Sequence, residues 1–338
     1  MLNDPSLPSV ALLHDIRQSA ELLDLRSGVI SGLASTPKRI PSLLLWDDQG
    51  LLNFEAWTKS PAYYPKNREL EILHNNRHEI ARRLPDRFVL IELGCGNLIK
   101  TASILSALEK DRQEVHYYAL DVSSDALRKS LGALKEQFKD AKNIHVSGLI
   151  GTYEDCADWL ASSLPALTVT FLWIGNSIAN LRQQDASILM GKFRQACLRI
   201  SAECNFLISA DGCAVEERLL KAYSPNEQPS RTFLFHGLHH ANRLLGRNAF
   251  DKNDWDCICE YEKEQNELHF SYSPKRDLEL DIGLFSVEFT KDEKVPYFMS
   301  GKWSESQVSA IAENAGFHVG DVWRDVQDEY RFYLLRGI

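Results

Sequence analysis

The residues best suited to chemistry stand in one short stretch. Glu92-Leu93-Gly94-Cys95-Gly96 closes an apolar, β-forming run at 88–93, and helical spacing resumes over 98–108. Strand, glycine turn and helix in that order let a ligand approach the backbone closely, and the helix N-terminus offers N–H groups with no intrahelical partner. The expected ligand is nucleotide-like. A dinucleotide fingerprint would place a third glycine where this chain has Ile99, so a pyrophosphate is not provided for. A second expected strand, 116–121, ends in Asp121, positioned to accept the two ribose hydroxyls of an adenosine. S-adenosylmethionine carries the adenosine without the pyrophosphate and satisfies both observations. A nicotinamide cofactor and a glycine turn that binds nothing are the alternatives.

Two other groupings could hold a metal. His236, His239 and His240 fall at i, i+3 and i+4 of a helix, but no carboxylate at ligand spacing accompanies them, which favours a solvated or packed face. Cys257-Ile258-Cys259 is the one close cysteine pair among seven, and it lacks the second pair or the histidines that a zinc site requires. No metal is expected. An odd number of scattered cysteines favours reduced thiols over a disulfide framework.

The elements that must position these residues alternate. Strands are expected at 88–93, 116–121, 144–149, 167–173 and 206–211, separated by helical segments, which indicates βαβ units and a parallel sheet covered on both faces. Upstream, the spacing predicts a helix from Val10 to Leu25, a turn at Asp47-Asp48-Gln49-Gly50 and a long helix from Pro65 to Leu84. The alternation lapses after Asp211 for nearly ninety residues. It returns with a capping-box pattern, Ser304 and Gln307, before the helix 308–315, which Gly316 closes, and a last strand at 331–335. This organisation predicts a doubly wound α/β core at 61–212, completed by 299–338. The segments 1–60 and 213–298 would form an α+β substrate unit inserted into it.

Composition narrows the functions. With 38 Lys and Arg against 47 Asp and Glu, the net charge of −9 supplies no overall attraction for phosphates, so a nucleic-acid partner is not expected. No run approaches the ~20 apolar residues of a membrane span, and the first residues have neither a basic nor an apolar signal region, so a cytoplasmic protein is expected.

The segments Pro37-Lys38, Asp47, Gly50-Leu51, Phe54-Glu55, Tyr63-Tyr64-Pro65, Arg68-Glu69, the glycine turn with Lys100-Thr101, Asn180-Leu181, and Asn242 to Gly246 with Phe250-Asp251 run through nearly the whole chain. In order and type this sequence resembles the histidine-specific methyltransferase family. That family holds the histidine Nα-methyltransferases of ergothioneine biosynthesis and the fungal 4-dimethylallyltryptophan N-methyltransferases of ergot-alkaloid biosynthesis. The resemblance implies a class I methyltransferase fold, S-adenosylmethionine as cofactor and a small amino-acid substrate. Gly94, Cys95, Gly96, Lys100, Asp121 and the Thr152-Tyr153 segment would contact the cofactor. Asn180 and Tyr63 would orient the reacting amine, with Tyr223 as a further substrate contact. Thr152 stands where the family often has an aspartate.

The departures bear on the substrate. In the histidine enzymes a Glu-x-Ser grips the imidazole, where this chain has Phe298-Met299-Ser300, and a tyrosine before the Asp-x-x-Gly segment is here Trp46. Loss of a carboxylate and a phenol removes imidazole partners and supplies an aromatic wall suited to an indole. The expectation is methyl transfer to the α-amine of an aromatic amino acid, most nearly 4-dimethylallyltryptophan or a related tryptophan derivative. Histidine methylation and a non-catalytic adenosylmethionine-binding subunit remain alternatives, and self-association as a homodimer stays open.

Overall fold

The computed structural model describes residues 12–18, 24–96, 98–164 and 166–338. Runs of apolar, β-branched and aromatic residues form strands buried on both faces. β2 (Arg87–Leu93), β3 (Glu114–Asp121), β4 (Ile144–Ile150), β5 (Val169–Trp173) and β6 (Cys204–Asp211) pair in parallel, and every residue of β5 and β6 is buried. Antiparallel strands β12 (Phe317–Arg324) and β13 (Tyr330–Gly337) complete one side and the short β1 (Leu12–Asp15) the other, giving the order β1-β4-β3-β2-β5-β6-β13-β12. One face is covered by α3 (Tyr64–Arg83), α4 (Ile99–Lys110) and α5 (Ser124–Gln137), the other by α6 (Tyr153–Ser163), α7 (Gln183–Arg199) and α10 (Glu305–Asn314). This is the doubly wound α/β sheet expected from the sequence. Strand order reverses between β2 and β5, and in such sheets the crevice for a ligand opens at the carboxyl ends on either side of that point.

The remaining elements share a separate core. α1 (Leu25–Ala34), α2 (Asp48–Trp57), α8 (Glu216–Ala222) and α9 (Ser230–Leu245) pack with a three-stranded sheet of β7 (Trp255–Glu262), β8 (Glu267–Pro274) and β11 (Val295–Gly301) and with the hairpin β9 (Leu278–Asp281) and β10 (Ser286–Phe289). β11 leads straight into α10, so one strand links this core to the large sheet.

Three local expectations are corrected. Residues 12–15, inside the span read as a helix, form strand β1 (Leu12–Asp15), parallel to β4; the rest of that span lies partly outside the described residues. Gly148 makes the pairing fit, because a Cβ there would stand 2.7 Å from Leu13, and edge pairing outweighs local periodicity. The Asp47 to Gly50 segment is the start of α2 rather than a turn. The Asp47 carboxylate accepts the Gly50 N–H at 2.8 Å, a bond common to turns and helix N-caps. β12 went unexpected because a bulge between Val319 and Asp321 interrupts its alternation.

Gly50 sits where α2 turns against the preceding segment, and a Cβ there would fall 1.9 Å from the Leu45 carbonyl oxygen. Gly50→Ala is expected to destabilise the protein by about 1–3 kcal/mol, the usual cost of overpacking. Urea unfolding should show a lower midpoint at unchanged slope. An unchanged midpoint would mean that this corner yields freely.

Candidate functional site

The glycine turn after β2 is built on left-handed backbone: Gly94 has φ +74°, Gly96 +54° and Leu98 +57°. Gly94 and Cys95 both donate their N–H to the Leu120 carbonyl, at 3.1 and 3.2 Å, so the turn is fastened to the end of β3 beside Asp121. Nothing lies within 4 Å of where a Gly96 Cβ would stand, and at Gly94 the nearest atom is the Tyr153 hydroxyl at 3.2 Å. α4 begins without a side-chain cap. Half-buried Asp121 accepts the Ser123 N–H at 3.0 Å, and Cys95 Sγ stands 3.8 Å from its other oxygen. Burial pushes its carboxyl above the usual range, offset in part by the N–H groups of Ser123, Gly96 and Val122. Gly94, Cys95, Gly96, Asp121 and Tyr153 thus come together at one rim.

Neighbouring side chains hold this rim. Glu92 points into the core, accepts the hydroxyls of Thr101 and Tyr117, and is pushed by burial up to about 7. Lys100 is engaged by the buried Glu69 at 2.6 Å. Thr152 caps α6 through a reciprocal bond with Asp155, and Tyr153 packs edge-on against Trp173 with ring centres 5.2 Å apart.

Facing this rim, the loop after β5 carries two asparagines with different surroundings. Asn176, buried and left-handed at φ +60°, accepts the Asp211 N–H at 2.9 Å and donates to the Gly301 carbonyl at 3.2 Å, tying β5, β6 and β11 together. Asn180, half-buried at the end of the 3-10 turn Ser177–Asn180, has a side chain with no recorded partner among the described residues. Its amide is available to a ligand.

Beyond this loop stands a continuous aromatic assembly. Trp46 meets Phe233 at 5.2 Å, Phe54 at 5.3 Å and Phe298 at 6.4 Å between ring centres; Phe298 also packs on Phe270 at 5.1 Å. Trp46 and Phe298 are half-buried, whereas Tyr63 and Tyr223, 5.5 Å apart, are buried behind them. Burial raises both phenols well above their ordinary range, so both are neutral. Ser300 lies two residues beyond Phe298 and is buried against Asn176 and Lys302.

Sequence reading missed Glu69 as an anchor, together with Asn176, Asp211 and Lys302. Lys302 had a detectable signal, since 298, 300 and 302 alternate along one strand direction and share a face. Asp211 had none, because its partners Tyr64 and Lys302 are remote in sequence. The histidine group does have a carboxylate after all, supplied by the fold rather than by spacing. Asp47 Oδ1 is 2.5 Å from His236 Nε2, and Arg243 takes its other oxygen. Burial would raise the Asp47 carboxyl, but the Gly50 N–H, His236 and Arg243 together hold it below the usual range. Cys257 faces the Tyr297 hydroxyl at 3.0 Å, and burial pushes its thiol up to about 12.

Known proteins align with this arrangement along its whole length. The family model described as histidine-specific, S-adenosylmethionine-dependent methyltransferase matches residues 25–337. The N-methyltransferase benX of Aspergillus terreus is 41% identical, over 98% of this chain and 93% of its own. Ergothioneine biosynthesis protein 1 of Neurospora crassa is 31% identical over 97% of this chain, which corresponds to 36% of that larger protein. The 4-dimethylallyltryptophan N-methyltransferase easF of Epichloe festucae var. lolii is 28% identical over 91% of this chain and 93% of its own. The rim fits S-adenosylmethionine chemically: open space over Gly96 admits the ligand, and Asp121 offers acceptor oxygens to a ribose diol.

Asp121→Asn keeps the size of the side chain and one acceptor for the Ser123 N–H while removing the charge. Binding of S-adenosylmethionine should weaken by about 1.5–3 kcal/mol, the worth of hydrogen bonds to a charged group. Calorimetry on the folded variant is the check, and an unchanged Kd would remove Asp121 from the cofactor site.

Proposed function

The chain belongs to the histidine-specific, S-adenosylmethionine-dependent methyltransferase family, and from that membership we propose that its acceptor is the α-amine of an aromatic amino acid with an indole ring. Tryptophan or a derivative such as 4-dimethylallyltryptophan is the substrate class. One observation carries this choice. The half-buried faces of Trp46 and Phe298 meet in an assembly of Phe54, Phe233 and Phe270, with Phe298 where the histidine enzymes place a carboxylate. An apolar wall gains from burying a large ring and offers an imidazole neither an acceptor nor a charged partner. The name of the easF relative, at 28% identity, is consistent with such a ring.

S-adenosylmethionine, when bound, supplies the electrophilic sulfonium methyl. The chain's own residues then present the nucleophile. An amine must lose its extra proton to attack, and an apolar surround disfavours the ammonium, so the neutral form with a free lone pair is favoured. The unpartnered Asn180 amide would orient that amine, with Tyr63 behind it. Orientation at near-attack distance is worth up to ~7–11 kcal/mol in favourable intramolecular systems. The N–C bond forms as the S–C bond breaks, and the positive charge passes from sulfur to nitrogen. No dedicated base is required during transfer.

Phe298→Glu tests the assignment. A carboxylate placed against an indole without a cation costs several kcal/mol or stays protonated. Turnover of tryptophan or 4-dimethylallyltryptophan should therefore fall at least about tenfold more than turnover of histidine, with products read by mass. Efficient methylation of histidine by the unaltered protein, with tryptophan derivatives ignored, would overturn the indole reading and leave the histidine function in its place.

A further inference from the structure

On the face of the large sheet that carries α6, two histidines and a glutamate meet at the amino ends of neighbouring strands. Glu114 and His116 lie two apart on β3 and share a face, and parallel register sets His145 of β4 directly beside His116. The two imidazoles stack at 4.9 Å between ring centres, with planes 27° apart. Glu114 Oε1 stands 3.6 Å from His116 Nε2, and one ligand atom from each of the three residues falls within 4.8 Å of the other two. The second oxygen of Glu114 faces Arg87, its register partner on β2, at 3.3 Å. That ion pair steers the carboxylate and leaves Oε1 turned to the imidazoles. Helix α6 covers this face at Tyr118, whose ring meets Trp159 at 5.2 Å, but Glu114 and His116 are only half-buried and His145 is exposed. Water therefore reaches the space between them.

Two imidazole nitrogens and one carboxylate oxygen suit a zinc ion that keeps a position for water, whereas magnesium and calcium prefer oxygen ligands throughout. Tetrahedral ligation at about 2.1 Å puts donor atoms about 3.4 Å apart, so the three side chains need to draw in only slightly. Their strands are rigid, which favours a defined geometry over one built on loops. The other histidine group is less suited. Asp47 is committed to the Gly50 N–H, His236 and Arg243, and His240 Nδ1 lies 3.0 Å from the Leu44 carbonyl.

We propose that Glu114, His116 and His145 bind a zinc ion, with water in the fourth position. From His116 to Asp121 the strand climbs about 16 Å, so the ion stands far from the ribose acceptor and takes no part in methyl transfer. It clamps β3 to β4 and stabilises the amino ends of these strands.

Calorimetry with zinc chloride on the untagged, chelator-treated protein should show one equivalent bound, with magnesium and calcium chlorides giving no signal. Zinc should raise the Tm, because an ion that binds the folded chain stabilises it. In crystals grown with zinc, anomalous scattering at the zinc edge should place one peak between the three side chains. His145→Ala, a change at an exposed position, should fold and transfer methyl groups as before. It should nevertheless lose more than about tenfold in zinc affinity, since losing even a ligand's supporting partner costs that much. Glu114→Gln should behave alike, and in both variants the zinc-dependent rise in Tm should vanish. No zinc binding by the unaltered protein, or full affinity in His145→Ala, overturns the proposal. Binding that survives in His145→Ala but is lost in His240→Ala moves the ion to the Asp47 group and overturns it equally.

Discussion

One buried carboxylate braces the region on which both proposed ligand sites depend. Glu69, on α3, is 2% exposed, and its oxygens accept the Gly175 N–H, Ser209 Oγ and Lys100 Nζ, each at 2.6 Å. Those partners come from the loop after β5, from β6 and from α4. A charge taken this far from water is tolerable only when paired and fully hydrogen-bonded, and breaking such a set typically costs about 3–5 kcal/mol. The penalty for misplacement fixes the β5 loop beside the glycine turn. With that loop fixed, Asn176 ties β11 to the large sheet, and the half-buried Asn180 ends the 3-10 turn that follows.

Around this brace the interior divides into a polar and an apolar part. Tyr64, Asp211, Lys302, Tyr223, Ser300 and Asn176 form a connected polar group, every member of which has a partner. Trp46, Phe54, Phe233, Phe270 and Phe298 form the aromatic part, free of charge. The proposed acceptor would place its ring on the aromatic side and its amine between Asn180 and the cofactor rim.

Much of the large sheet was legible because a strand buried on both faces reads as a continuous apolar run, and the glycine turn announces itself by residue type. Strands covered on one face were harder. β7, β9 and β11 lie in the smaller unit, where burial alternates or is mixed, and β12 is broken by a bulge. Local chemistry pointed to Gly94, Gly96 and Asp121, which the structure brings to one rim, and the family pattern pointed to Asn180 and Phe298. Pairings between residues remote in sequence were not legible. The pairing of Lys100 with Glu69 could not be read from sequence; Asp47 reads as a turn residue, yet it caps α2 and meets His236 and Arg243.

The most direct measurement is a crystal structure of the complex with S-adenosylhomocysteine and L-tryptophan. The account predicts the ribose hydroxyls on the Asp121 carboxylate, the indole against Trp46 and Phe298, and the α-amine beside Asn180 with its lone pair directed at the sulfur. An indole lodged away from that wall, or an amine turned from the sulfur with the cofactor correctly seated, would contradict it.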